Sequence, residues 1–175
     1  IGIIDHKGFF INPSVCIGHG ACAAVCPSGA IRLVFGTEKR GVDIPFVNPS
    51  FETNIEGLFI AGELGGMGLI RKAVEQGKQA IAHIKKRRVA GTDYDVIIIG
   101  AGPAGISATL GAQEAGLRYL TLEQEDAIGG TALHYPRQKI VMTAPMTLPQ
   151  IGLIKLTEIS KEALIELWED VAKKT

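Results

Sequence analysis

The run from Tyr94 to Gly105, Y-D-V-I-I-I-G-A-G-P-A-G, constrains the fold of this 175-residue chain more than any other stretch. Four β-branched residues, Val96 to Ile99, lead into glycines at 100, 102 and 105, and a small-residue helix is expected from Ile106 to Ala115. Strand, tight turn and helix start in that order form a dinucleotide-binding fingerprint in its full context. Gly100 permits the turn, Gly102 lets the backbone approach a pyrophosphate, and Gly105 lets the helix pack closely on the strand. With Pro103 and Ala104 they place the phosphate at the helix N-terminus. A second strand, Leu117 to Leu122, ends at Glu123, where an acidic side chain would hydrogen-bond the adenosine ribose.

A second constellation lies between Cys16 and Pro27, C-I-G-H-G-A-C-A-A-V-C-P. A short loop carrying several thiolates can wrap an iron-sulfur cluster while backbone N–H groups face its sulfides. Three cysteines are an odd number, which argues against a closed disulfide framework, and their spacing does not match paired zinc knuckles. The run resembles the bacterial ferredoxin pattern C-x2-C-x2-C-x3-C-P, with His19 standing where the second cysteine belongs and Ser28-Gly29-Ala30-Ile31 continuing the likeness over residues 1–36. The resemblance implies a 4Fe-4S cluster on Cys16, Cys22 and Cys26. His19 is either an imidazole ligand or a loop residue beside an incomplete cluster. In two-cluster ferredoxins the cysteine before proline serves the other cluster, so Cys26 would then pair with a motif preceding Ile1.

The fingerprint segment in turn resembles the flavoprotein pyridine nucleotide-disulfide oxidoreductases, the thioredoxin reductase group especially. In that family the glycine fingerprint, the acidic strand end and a following glycine pair hold FAD, and Glu123, Gly129, Gly130 and Thr131 match those places. The segment Thr53 to Glu63, T-N-I-E-G-L-F-I-A-G-E, resembles the family's second FAD fingerprint, which makes Gly62 and Glu63 cofactor-binding candidates, the terminal acid being the residue that hydrogen-bonds the ribityl chain. Glu63 replaces the usual Asp. Gly65, Gly66 and Gly68 follow, then an amphipathic helix from Leu69 to Lys86, its apolar face carrying Ile70, Ala73, Val74, Gly77, Ala80, Ile81 and Ile84. The resemblance points its N-terminus at the flavin, where the positive dipole end favours negative charge, while Lys85, Lys86, Arg87 and Arg88 suit the other end as a solvated basic run.

The order of these pieces departs from the family, in which the dinucleotide fingerprint comes first and the second segment last. Two arrangements follow: a junction of two tandem flavoprotein modules, or one FAD domain in permuted order, with the halves packing together. The expected division is a ferredoxin-type module over 1–36, a C-terminal FAD-binding segment over 37–86, a linker over 87–92 and an N-terminal FAD-binding segment over 93–175. The expected fold class is α/β, a doubly wound FAD/NAD(P)-binding sheet with a small α+β ferredoxin-like module.

Composition agrees with a soluble α/β protein of zero formal net charge, which gives no ground for a nucleic-acid partner. The longest apolar run, Val96 to Ala108, is broken by glycines and proline, so no membrane span or signal peptide is expected, and a reducing cytoplasm suits the thiols. Near the C-terminus Ser160 is placed to cap a helix with a stripe of Ala163, Leu164, Leu167, Trp168 and Val171, and Ile159 to staple against Leu164. Pro145 to Pro149 reads as a crossing loop. His134, Tyr135, Arg137 and Lys139 carry polar groups without an assigned role, and His6 and His83 read as surface or satisfied residues.

Together these features imply a flavin and iron-sulfur oxidoreductase in which NAD(P)H reduces FAD and electrons leave singly through the 4Fe-4S cluster to an electron-transfer protein or partner subunit, or run in reverse. A close variant resembles the small subunit of glutamate synthase. The alternative is a non-catalytic electron-transfer or redox-sensing module that binds the cofactors and docks to a partner. No second G-x-G-x-x-G and no C-x2-C dithiol occur in the chain, so the nicotinamide domain that the family implies is not represented in it.

Overall fold

The computed structural model describes residues 2–4, 7–9, 20–31, 45–65, 68–87 and 91–174. Contacts divide the chain into two units, Ile1–Val42 and Asp43–Thr175. In the first, β1 (Gly2–Ile4) pairs antiparallel with β2 (Lys7–Phe9), Ile3 opposite Gly8. A single helical turn, α1 (Ala21–Ala24), follows Gly20, whose φ of 84° is a left-handed geometry that glycine adopts without strain.

The second unit is mixed α/β, with α2 (Ile70–Ile84), β3 (Val96–Ile99), α3 (Pro103–Glu114), β4 (Tyr119–Leu122), β5 (Ile140–Met142), β6 (Met146–Leu148), β7 (Gly152–Ile154), β8 (Glu158–Ser160) and α4 (Lys161–Lys174). β3 and β4 run parallel, Val96 opposite Tyr119, as a β-α-β step requires; β5 pairs with β8 and β6 with β7, both antiparallel. Among the described residues β3–β4 is the one parallel pairing, a single β-α-β step through α3.

Helix α3 starts at Pro103, three residues ahead of the expected Ile106. Proline at the first helical position loses nothing by lacking an N–H and brings a helical φ, and Gly102 precedes it in extended geometry. Leu117, expected to open β4, lies before it as a core residue. The segment Pro145 to Pro149 is a strand, not a crossing loop: Met146 and Leu148 turn inward, 4% and 0% exposed, and β6 turns through Gln150 (φ 62°) and Gly152 (φ 90°) into β7. Three residues are too few to display a period of two in the sequence.

One core gathers Trp168 and Leu164 of α4 with Leu148, Val141, Leu110, Ile106 and Val74. Ser160 Oγ accepts the Ala163 N–H at 3.3 Å, and Ile159 packs on this cluster, the cap and staple that the sequence implies. A second core lies between α2, α3 and β3, from Ile81, Ile98, Ala108, Ala112 and Leu117. The opposite face of β3–β4 stays open, with Ile97 54%, Ile99 87% and Leu122 48% exposed.

Helices α2 and α3 meet backbone to backbone. A Cβ on Gly77 would lie 2.1 Å from the Ala104 carbonyl oxygen, and the buried Ser107 hydroxyl donates to the Val74 carbonyl at 2.7 Å. Nothing larger than hydrogen fits at Gly77. The segment 45–60 is tied to the far end of α2: the buried Glu52 carboxylate accepts the Gly57 N–H at 3.0 Å and pairs with Arg87, which ends a 3₁₀ turn, Lys85–Arg87. Residues 88–90 lie outside the described residues.

The Gly57 N–H, and then the Arg87 guanidinium, hold the Glu52 carboxyl below the usual carboxylate range. A carboxyl that binds its proton less readily when folded adds stability above the ordinary pKa and loses it as pH falls through the lowered one. Glu52→Gln should therefore flatten the acid limb of a plot of melting temperature against pH; an acid limb identical to that of the parent chain would contradict this role. Among the described residues no helix is long and apolar enough to cross a membrane.

Candidate functional site

A cavity of about 330 Å³ opens where the two halves of the second unit meet. From the fingerprint it takes Gly100, Gly102, Pro103, Ala104 and Gly105; from the glycine-pair loop Gly129, Gly130 and Thr131; and from the preceding segment Gly62 and Glu63. Gly68, Leu69 and Ile70 at the start of α2 join them, together with Ala73 and Tyr135. Gly66 lies outside the described residues.

Three of the glycines have a steric reason. A Cβ at 105 would sit 1.8 Å from the Gly100 carbonyl oxygen, and at 130, where φ is 60°, it would come within 2.9 Å of the Gly102 Cα. Gly62 (φ 94°) packs so that its Cβ would lie 2.9 Å from that of Ala104, joining the two segments. Gly102 differs: a Cβ there meets Gly130 Cα at an ordinary 3.6 Å, so the space beside it is a cradle, not a packed contact. No side chain caps α3, and no acid stands in its first turn. Its N-terminal amides and dipole therefore face the cavity rim without a competing carboxylate.

Glu63 reaches across, its Oε2 accepting the Thr131 hydroxyl at 3.0 Å, and Gln76 of α2 holds the turn before it through the Gly62 N–H, 2.7 Å. Sequence reading missed Gln76, which carries no motif and acts on a residue fourteen positions away. Glu123 is not on this cavity. It lines a second one of about 390 Å³ with Glu125, Asp126 and Glu169, while its Oε2 accepts the Ala101 N–H at 2.5 Å and its Oε1 the Gln124 and Glu125 N–H groups. Those amides, Ala101 first, hold its carboxyl below the usual range.

Tyr135 had no expected role. Lys139 Nζ stands 4.8 Å from its ring centroid, and Lys161 Nζ donates to its carbonyl at 2.8 Å. Burial, and then the charge of Glu63, push its phenol up.

In the first unit, Cys22 sits on α1 and Cys26 just beyond it; Cys16, His19 and His6 lie outside the described residues. The Ser28 hydroxyl stands 3.5 Å from Cys26 Sγ, and this contact, followed by the Ala30, Ser28 and Ile31 N–H groups, lowers the thiol to about 7. A sulfur ringed by amides is prepared for the thiolate form that iron requires. Among the described residues no three His, Cys, Asp or Glu side chains converge on one point.

Residues 97–173 match the family model "Pyridine nucleotide-disulphide oxidoreductase", and residues 9–32 match "4Fe-4S binding domain". The chain thus carries one stretch similar to an oxidoreductase domain and another similar to a 4Fe-4S binding motif. The soluble pyridine nucleotide transhydrogenase of Vibrio parahaemolyticus is 45% identical over 42 residues, 24% of this chain and 9% of that protein. The transhydrogenase of Sodalis glossinidius is 44% identical over 72 residues, 41% of this chain and 14% of its own length. The ferredoxin--NADP reductase of Picrophilus torridus is 39% identical over 66 residues, 38% of this chain and 20% of its own. The chain therefore spans between 9% and 20% of these relatives. No solved structure matches significantly.

Proposed function

We propose that this chain is a flavin and iron-sulfur oxidoreductase segment that passes electrons between NAD(P)H, FAD and a 4Fe-4S cluster. We further propose that residues 37–86 and 93–175 form one FAD-binding domain of the doubly wound kind, in permuted order. The observation that supports this most is the cavity itself, to which both FAD-like segments contribute glycines that a Cβ would obstruct.

FAD suits the task because it exchanges electrons both in pairs and singly. The residues fit it. Gly102 and Gly130 leave the cradle for the pyrophosphate, and the start of α3 offers amides and a dipole to its charge. Glu123, its carboxylate held by the Ala101 N–H beside the fingerprint turn, would accept from the adenosine ribose, and Glu63 with Thr131 would accept from the ribityl hydroxyls. Leu69, Ile70 and Ala73 would offer apolar contact to the remainder.

In the first unit, Cys16, Cys22 and Cys26 would hold the cluster, with His19 as the fourth ligand, and the amides around Cys26 would stabilise its sulfur. An electron-transfer protein or partner subunit would complete the path, and the cytoplasm is the proposed compartment.

The test is the visible spectrum of anaerobically purified protein, with iron, sulfide and released flavin quantified against protein. Flavin near one per chain together with cluster iron supports both sites; a chain with neither overturns the proposal. Cys22→Ala should remove the iron and spare the flavin, and parallel loss of both would contradict two separate sites.

A further inference from the structure

Tyr135 is the single aromatic side chain among the described residues that line the main cavity, whose other walls are glycine, alanine, short aliphatic groups and the Glu63–Thr131 pair. It is also held firmly for a residue just beyond a 3₁₀ turn, Gly130–His134. Lys161 anchors its carbonyl, Lys139 stands over its ring, and the ring packs against the core cluster of Trp168 and Leu164. Offset stacking of an aromatic ring on a planar partner is favourable beyond the area it buries.

We propose that Tyr135 is the stacking platform for the isoalloxazine ring, fixing the plane of the flavin at the Glu63 end of the cavity; this rests on the FAD reading above. The assignment to the flavin and not to the adenine follows from position. Tyr135 shares its cavity with Glu63 and Thr131, whereas Glu123, the proposed ribose acceptor, opens on the other one.

A tyrosine in stacking contact quenches flavin emission by transient electron donation to the excited ring and its return, with no net redox change. The emission of bound flavin, normalised to flavin released on denaturation, is therefore the measurement. It should be weak in the 175-residue chain and severalfold brighter in Tyr135→Leu, which should also bind FAD about threefold to tenfold less tightly, the loss of one aromatic stack. Tyr135→Phe should keep the affinity yet brighten, since phenylalanine donates electrons poorly, and it decides the matter if the leucine variant fails to fold. Quenching by the buried Trp168 is common to all three proteins and cancels in the comparison. Equal emission per bound flavin in all three overturns the stacking role while leaving the FAD site intact; an unaltered chain that binds no FAD overturns the site itself.

Discussion

Gly77→Ala is expected to loosen the whole second unit, not only helix α2. Alanine gains about 1 kcal/mol over glycine in a helix interior. Here its Cβ would stand 2.1 Å from the Ala104 carbonyl oxygen and 3.0 Å from the carbonyl carbon, and no side chain can swing away to relieve a contact with backbone. The helices must separate by more than 1 Å, which breaks the Ser107 to Val74 hydrogen bond and opens the core between them. Overpacking of this kind costs about 1–3 kcal/mol, and more where backbone has to move, so the clash outweighs the propensity gain by about 2 kcal/mol. Urea denaturation followed by the fluorescence of Trp168, the one tryptophan of the chain, reads the result. Flavin content should fall with stability, because Ala104 also lines the cavity. An unchanged urea midpoint would mean that the two segments do not pack as described.

Gly102→Ala should behave in the opposite way, keeping the fold and losing the ligand. The backbone there is extended (φ −75°, ψ −177°), open to any residue, and the added methyl meets Gly130 at ordinary contact distance. What the methyl takes is the cradle. Charge-assisted hydrogen bonds to backbone amides contribute about 1.5–3 kcal/mol each, so displacing the pyrophosphate from two of them weakens FAD binding by about 3 kcal/mol or more, a factor of a hundred. Calorimetric titration of FAD into the apoprotein, beside a thermal melt, separates the two effects. Undiminished affinity would remove the pyrophosphate from this loop.

These two glycines mark where sequence reading reached and where it stopped. The fingerprint strand, turn and helix were legible because each demands a residue type: β-branched residues for β3, glycine for the turn, small residues for a helix packed on a strand. The buried face of α2 was legible for the same reason, its period being that of a helix. Gly77 stood on that face as one more small residue, and nothing local announced that its missing side chain admits the carbonyl of Ala104. The Glu63–Thr131 bond joins residues 68 apart, and Gln76 acts on Gly62 without any pattern. Glu123 was found by its distance from the fingerprint, but which cavity it faces depends on how its loop bonds to Ala101. Strand β6 is hidden in the sequence because the prolines on either side of it, Pro145 and Pro149, signal a loop, and its pairing is decided by the turn at Gln150 and Gly152.

The buried bond from Ser107 to Val74 closes a loop of only 33 residues. Chain entropy opposes the meeting of two segments more strongly as the stretch between them lengthens, by about 0.6 kcal/mol for each doubling. An order that sets these helices at opposite ends of a long polypeptide would require a distant encounter before the cavity could exist. In the present order the encounter is local, and local contacts favour rapid folding. The α2–α3 crossing is therefore suited to be an early event in the maturation of this chain, with the binding cradle assembled before any cofactor arrives.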